Sequence, residues 1–343
     1  MGAFISKLFK SFSEPLHTPS NQNNDSTLEN TIIEISTPNS MDNIDYSDHD
    51  TIATNEYIDS DDENISLVEA SDEDEADEYD KDHIFTYGNE KRALIIGINY
   101  INDQDANNDL KGCVNDMNNL KQFLQRKCYF LDDDIITLRN SEATRECIEA
   151  ELLNLVVFSY KNPGSEIWLS YSGHGSNTRS INEADLKSEV ICPSDYAENG
   201  IITDHWLQEN FVLGLEKTTK VFALMDCCNS GSNLNLPYCL KYGDVTTNDS
   251  NYTKEELNNI CNIIKISGCE DDQTSADYFE RSENEFQGAL TNGFLHFSEQ
   301  VKTQHNDITF FYNNILSYLT YRGFTQRPLL TFSKADMLNI KLF

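Results

Sequence analysis

From residue 91 to residue 343 the apolar positions fall into two alternating kinds of run. Short continuous apolar stretches recur at Ala93–Ile98, Ile135–Leu138, Ile167–Tyr171, Val221–Met225, Ile263–Ser267 and near 329–332. Runs this short and this uniformly apolar predict strands buried on both faces. Between them, apolar residues return at helical spacing over 112–127, over 143–159 (Thr144, Ile148, Leu152, Leu155, Val156), over 286–300 and over 308–321. Strands alternating with helices predict an α/β domain with a mostly parallel central sheet flanked by helices. Residues 232–262 break the pattern as a polar insertion before the strand at 263. In sheets of this kind the chemistry sits on loops beyond the carboxyl ends of the strands.

The N-terminal quarter reads differently. Residues 13–90 are rich in Asn, Ser, Thr, Asp and Glu and carry no sustained apolar period, which predicts a disordered acidic region. Residues 1–90 hold 23 Asp and Glu against three Lys and no Arg, within a chain of 343 residues and net charge −33. A surface this acidic excludes nucleic acid as the expected partner, since phosphate binding needs Lys and Arg, and it favours cationic protein substrates. The first 12 residues are distinct again. Phe4, Ile5, Leu8, Phe9 and Phe12 fall on one helical face with Lys7 and Lys10 off it, the pattern of an interfacial helix. The opening Met1-Gly2-Ala3-Phe4-Ile5-Ser6 fits the N-myristoylation pattern at Gly2. Together they predict a membrane-surface anchor on an otherwise cytoplasmic protein. Nine cysteines, an odd number with no C-x-x-C pair, predict free thiols and neither a disulfide framework nor a zinc ribbon.

Two of the expected parallel strands end in chemically loaded loops, Ser172-Gly173-His174-Gly175-Ser176 and Asp226-Cys227-Cys228-Asn229-Ser230-Gly231. A cysteine nucleophile needs a base to raise its thiolate fraction and small neighbours that let substrate approach. His174 between two glycines and Cys228 ahead of a tight turn supply that pair. The backbone N–H groups of Gly175 and Cys228 are candidate oxyanion donors.

From residue 91 to its end the chain resembles the metacaspases, caspase-like cysteine proteases. Ala93–Tyr100 is similar to the family's first strand, and Leu110–Asp116 to its L-x-G-C-x-N-D segment. Tyr171–Gly175 is similar to the histidine motif, and Asp226–Gly231 to the nucleophile motif D-S-C-H-S-G. Ile266–Ala276 and Gly288–Thr291 resemble the small-subunit region. The resemblance implies a caspase–haemoglobinase-like fold in one peptidase domain, with a large-subunit-like part (91–231), the insertion (232–262) and a small-subunit-like part (263–343). It makes Cys228 the nucleophile, His174 its acid–base partner, and Cys113, Asp116, Ser172 and Asp226 the walls of the pocket for the residue before the scissile bond. Paired carboxylates in such a pocket select Arg or Lys.

The same resemblance implies no cofactor for the chemistry but calcium as an activator. Asp204 and Glu189 are the candidate ligands, although His205 stands where a second Asp is common and Ser188 precedes Glu189. Lys241 and Lys254, the two basic residues of the insertion, are the candidate autoprocessing sites. The alternative function is a catalytically inactive caspase-like scaffold that binds basic peptides or a partner protease.

Overall fold

A computed structural model of the chain describes residues 34–35, 83–101, 109–179, 187–228, 231, 233–241, 243–248, 252–268, 277–280, 285–300 and 307–342. Gly2 with its anchor segment, Asn229, Ser230 and the motif residues 269–276 lie outside these, as does nearly all of the acidic region.

The strands and principal helices run β1 (Lys91–Gly97), α1 (Cys113–Lys127), β2 (Ile135–Arg139), α2 (Arg145–Lys161), β3 (Glu166–Ser172), β4 (Gly175–Arg179), β5 (Lys187–Ile191), β6 (Ile202–Thr203), β7 (Lys220–Asp226), β8 (Tyr238–Lys241), β9 (Asp244–Thr247), α3 (Lys254–Asn259), β10 (Asn262–Ser267), β11 (Asp277–Glu280), β12 (Glu285–Gly288), α4 (Ala289–Gln300), α5 (Ile308–Tyr321) and β13 (Leu329–Phe332). An eight-stranded sheet in the order β9-β8-β13-β10-β7-β3-β1-β2 carries the domain. The five strands β10, β7, β3, β1 and β2 are mutually parallel, and the pairings β10–β13, β13–β8 and β8–β9 are antiparallel. The expected mixed α/β fold with its mostly parallel sheet is what the chain forms.

Successive strand residues face opposite sides, so β1 feeds two cores. Leu94 and Ile96 pack with Ile148, Leu152, Leu155 and Val156 of α2. Ala93 and Ile95 pack on the other side with Val114, Met117, Leu120, Phe123 and Leu124 of α1 and with residues of α4 and α5. The helix expected over 286–300 begins three residues late, because 285–288 are spent on β12, which pairs with β11 as a separate hairpin. The polar insertion is also more ordered than its composition suggests. It folds into the β8–β9 hairpin and α3, and β8 joins the main sheet beside β13.

The packed chain starts at His83, ahead of the expected boundary at 91. Ile84 and Phe85 are buried, and their amides donate to the carbonyls of Lys341 and Leu342. An ion pair fastens this lead-in. Lys91 Nζ lies 2.5 Å from Glu166 Oε2, both fully buried. The same carboxylate accepts from the Thr86 amide and hydroxyl and from Asn89 Nδ2. A carboxylate hydrogen-bonded on every side tolerates burial; one stripped of its cation does not. Lys91→Met is expected to cost about 3–5 kcal/mol, read as a lower urea midpoint at unchanged slope. A midpoint equal to that of the wild type would show that the pair does not hold the lead-in. Within the region expected to be disordered, Glu34–Ile35 form a short strand antiparallel to β4, on a second sheet completed by β5 and β6.

Candidate active site

Strands β3 and β7 are adjacent and parallel, with Ser172 opposite Asp226. The histidine loop and the cysteine loop therefore leave the sheet side by side, as their sequence positions require. Gly175, the first residue of β4, packs directly on the cysteine loop: a Cβ there would overlap the Cys228 carbonyl oxygen and come within 3.3 Å of Cys227 Sγ. Only glycine permits this approach, which brings the backbone after His174 onto the backbone of Cys228. The two candidate oxyanion N–H groups thus belong to touching segments. Cys228 is 5% exposed and His174 2%, so both lie in a site largely closed to water.

Three further thiols surround this point, and they are not equivalent to Cys228. Burial pushes the Cys192 thiol up to about 12, and the charge of Cys228 adds to the shift. Cys192 is therefore a neutral neighbour of Cys228 and no rival nucleophile. Cys227 packs inward beside Asn233 Nδ2, 3.8 Å from its sulfur. Cys113 begins α1, where its carbonyl oxygen would lie 2.5 Å from a Cβ at Gly97. All eight described cysteines are free.

Asp116 and Asp226 meet at one place, although 110 positions separate them in the chain. A Cβ on Gly288 would overlap Asp226 Oδ2 and lie 2.7 Å from Asp116 Oδ2, so that glycine touches both carboxylates. Each carboxylate is held. Ser172 Oγ donates to Asp116 Oδ2 at 2.9 Å, and the Gly288 amide donates to both Asp116 oxygens at 3.0 and 3.1 Å. The Thr291 amide and hydroxyl both donate to Asp226 Oδ2 at 2.9 Å. Cys113, Asp116, Ser172 and Asp226, expected as pocket walls, are all buried around the carboxyl ends of β1, β3 and β7.

Gly288 and Thr291, named in the sequence only as part of a matching stretch, emerge as parts of the pocket. Lys265 was hidden altogether. It sits in the middle of β10, fully buried, and donates to the Gly231 carbonyl at 2.7 Å and to Asn233 Oδ1 at 3.1 Å. Its ammonium ties the chain downstream of Cys228 to the central sheet. A lysine within Ile263-Ile264-Lys265-Ile266 was the available signal.

The candidate calcium ligands Asp204 and Glu189 lie beside one another, at the start of a short helix and on β5. Asp204 is fully buried and opens a short helix. Its Oδ1 accepts from the Ser188 hydroxyl and, at 2.6 Å, from the His205 amide, while Oδ2 accepts from the Glu189 amide at 3.1 Å. The His205 imidazole faces Glu209 instead, 3.3 Å away and well exposed. Calcium takes six to eight hard oxygens, and the Asp204 carboxylate accepts three hydrogen bonds, two on Oδ1 and one on Oδ2. Among the described residues no group of three or more His, Cys, Asp or Glu is arranged to hold a metal. Of the candidate processing sites, Lys241 is exposed at the end of β8, one residue from the turn glycine Gly243's neighbour, and Lys254 is exposed in the first turn of α3.

Comparison with known proteins agrees with this geometry. A family model described as "Metacaspase, peptidase C14 domain" matches residues 91–237. The chain is 32% identical over 223 residues to Metacaspase-2 of Arabidopsis thaliana, covering 60% of this chain and 51% of the relative. It is 28% identical over 300 residues to Metacaspase-1 of Meyerozyma guilliermondii, covering 73% and 71%. It is 31% identical over 270 residues to Metacaspase-1 of Candida albicans, covering 62% and 59%. The chain thus spans about half to seven-tenths of the length of these relatives. The crystal structure of a protein from Geobacter sulfurreducens shares the fold, with a TM-score of 0.51 at 20% identity over 74% of this chain and 97% of that one. Adjacent histidine and cysteine loops, a two-carboxylate pocket beside them and these matches point the same way: over residues 91–237 the chain is similar to the metacaspase peptidase C14 domain.

Proposed function

We propose that the chain is a cysteine endopeptidase that cleaves proteins after Arg or Lys through His174 and Cys228. The observation that carries the specificity is the meeting of Asp116 and Asp226 at Gly288. Two carboxylates that converge on one glycine favour a cation there, and a guanidinium can engage both in charge-assisted pairs. The substrate's basic side chain would supply that charge and thereby set its scissile bond against the nucleophile.

In this reading Cys228 Sγ gives up its proton to the His174 imidazole and attacks the scissile carbonyl carbon. The oxygen takes up negative charge opposite the Gly175 and Cys228 amides. As the tetrahedral intermediate collapses, His174 returns the proton to the leaving amine. The resulting thioester is cleaved by a water that His174 deprotonates, which restores the thiol. No step of this chemistry is routed through calcium.

A peptide-library digestion tests the whole reading. Cleavage is expected after Arg and Lys and not after Asp, at the same rate in calcium and in excess chelator, and none with Cys228→Ala. Cutting after Asp would overturn the pocket assignment. A chelator-sensitive rate would overturn the independence from calcium. A wild-type protein that binds basic peptides without cutting them would make the domain a scaffold.

A further inference from the structure

The reading of His174 as acid–base partner leaves open what holds its imidazole, since the histidine sits between two glycines. No carboxylate hydrogen-bonded to His174 is needed if its loop is fixed by other means, and two buried tyrosines provide such means. We propose that Tyr100 is a positioning residue for the His174 imidazole, with Tyr171 bracing the same loop from the sheet; this rests on the catalytic role given to His174.

Tyr100 follows β1 and has φ +54°, in the left-handed region. That conformation is a genuine outlier for a bulky residue, and such outliers persist only where surrounding structure enforces them. The enforcement is visible at the preceding residue. The Asn99 amide donates to Asn140 Oδ1 at 2.8 Å, Asn99 Oδ1 accepts from the Val114 amide at 3.1 Å, and the Asn99 carbonyl accepts from the Leu110 amide at 2.9 Å. The turned backbone swings the phenol over the histidine loop. The Tyr100 ring lies 4.4 Å from the His174 ring, centroid to centroid, tilted by 35°.

The hydroxyls close a ring of hydrogen bonds around the His174 peptide. The His174 amide donates to Tyr100 Oη at 3.0 Å, and Tyr100 Oη donates to the Cys192 carbonyl at 2.5 Å. The Tyr171 hydroxyl donates to the His174 carbonyl at 2.8 Å and accepts from the Cys192 amide at 3.2 Å. Each phenol then spends its single proton once, and both polar groups of the His174 backbone are engaged. Burial holds both phenols well above the ordinary tyrosine range, so they remain protonated donors. Gly173 completes the device. A Cβ there would lie 2.7 Å from Tyr171 Oη and 2.9 Å from Tyr100 Oη, so glycine is the residue that admits both hydroxyls to the loop.

The test compares Tyr100→Phe, Tyr100→Leu and Tyr171→Phe in the full chain, with His174→Ala as the reference for complete loss. Hydrolysis of an Arg peptide, the rate of Cys228 alkylation by iodoacetamide and the melting temperature are measured for each. Phe at position 100 keeps the ring and deletes the hydroxyl; Leu deletes both. The expectation is a fall in kcat of about 10-fold for Tyr100→Phe and about 100-fold for Tyr100→Leu, the scale of a small misplacement of a catalytic group, with KM unchanged. Alkylation should slow in the same order. Wild-type kcat in both Tyr100 variants, or losses appearing only as raised KM, would overturn the proposal. If neither Tyr100 variant folds, Tyr171→Phe decides by the same criteria. An inactive wild type, or activity surviving in His174→Ala, would refute the dyad itself, a result separate from the role of Tyr100.

Discussion

Cys228→Ala and His174→Ala are each expected to abolish peptide hydrolysis, with the double variant no slower than the worse of the two. The expectation follows from how tightly the site couples the two residues. Their loops leave neighbouring parallel strands, and the glycine after His174 is pressed against the Cys228 carbonyl. A nucleophile and base that act as one unit lose nearly everything when either is removed, on the order of 10⁴- to 10⁶-fold in kcat. Substitution of Cys227 separates this assignment from its nearest rival. Cys227 lies inward beside Asn233, so Cys227→Ala should retain most of its turnover. A fluorogenic Arg substrate and titration of the active thiol measure both effects. Turnover by Cys228→Ala that disappears in Cys227→Ala would transfer the nucleophile to the neighbouring residue.

The second large effect is expected at the pocket. Asp226→Asn keeps the shape of the side chain and removes its charge, so a bound guanidinium faces one carboxylate in place of two. Truncating one partner of a buried charge pair costs about 2–5 kcal/mol, roughly 30- to 4,000-fold in kcat/KM for Arg and Lys substrates. Gly288→Ala probes the same pocket without touching any charge. Its new methyl group would stand where both carboxylates now meet, with Asp226 unable to retreat freely because Thr291 holds its Oδ2 through two hydrogen bonds. That variant should lose affinity for basic substrates with thiol alkylation intact. An unchanged kcat/KM for Arg substrates in either variant would show that the basic side chain binds elsewhere.

The central architecture was legible because buried parallel strands announce themselves. Ala93–Ile98, Ile167–Tyr171 and Val221–Met225 are apolar on both faces and form the middle of the sheet. Among the strands that escaped notice, two lack any apolar pattern. β4 (Gly-Ser-Asn-Thr-Arg) and β9 (Asp-Val-Thr-Thr) have neither a continuous nor an alternating apolar pattern. Their partners define them, and partners are set by tertiary structure. The lead-in at 83–90 was misread because its stabilisation comes from the distant Glu166 and from the C-terminal residues 341–342. The site divides along the same line. The proposed dyad, His174 and Cys228, sits in recognisable local motifs. Tyr100 beside His174, Lys265 against the chain after Cys228, and Gly288 and Thr291 on the two carboxylates are defined by contacts across the sheet that no local window contains.

The strand order has a consequence for a chain cut at the exposed β8–β9 turn. The piece ending at Lys241 would keep β1, β2, β3, β7 and β8, and the remainder would keep β9, β10 and β13. In the sheet these alternate: β8 of the first piece lies between β9 and β13 of the second, and β10 and β13 of the second lie between β8 and β7 of the first. The two pieces would be interleaved like clasped fingers, and Ile84 and Phe85 of one would still pair with Lys341 and Leu342 of the other. Separating them would mean tearing open the centre of the sheet. Scission at this turn would therefore relax the local chain and leave a permanent two-chain particle.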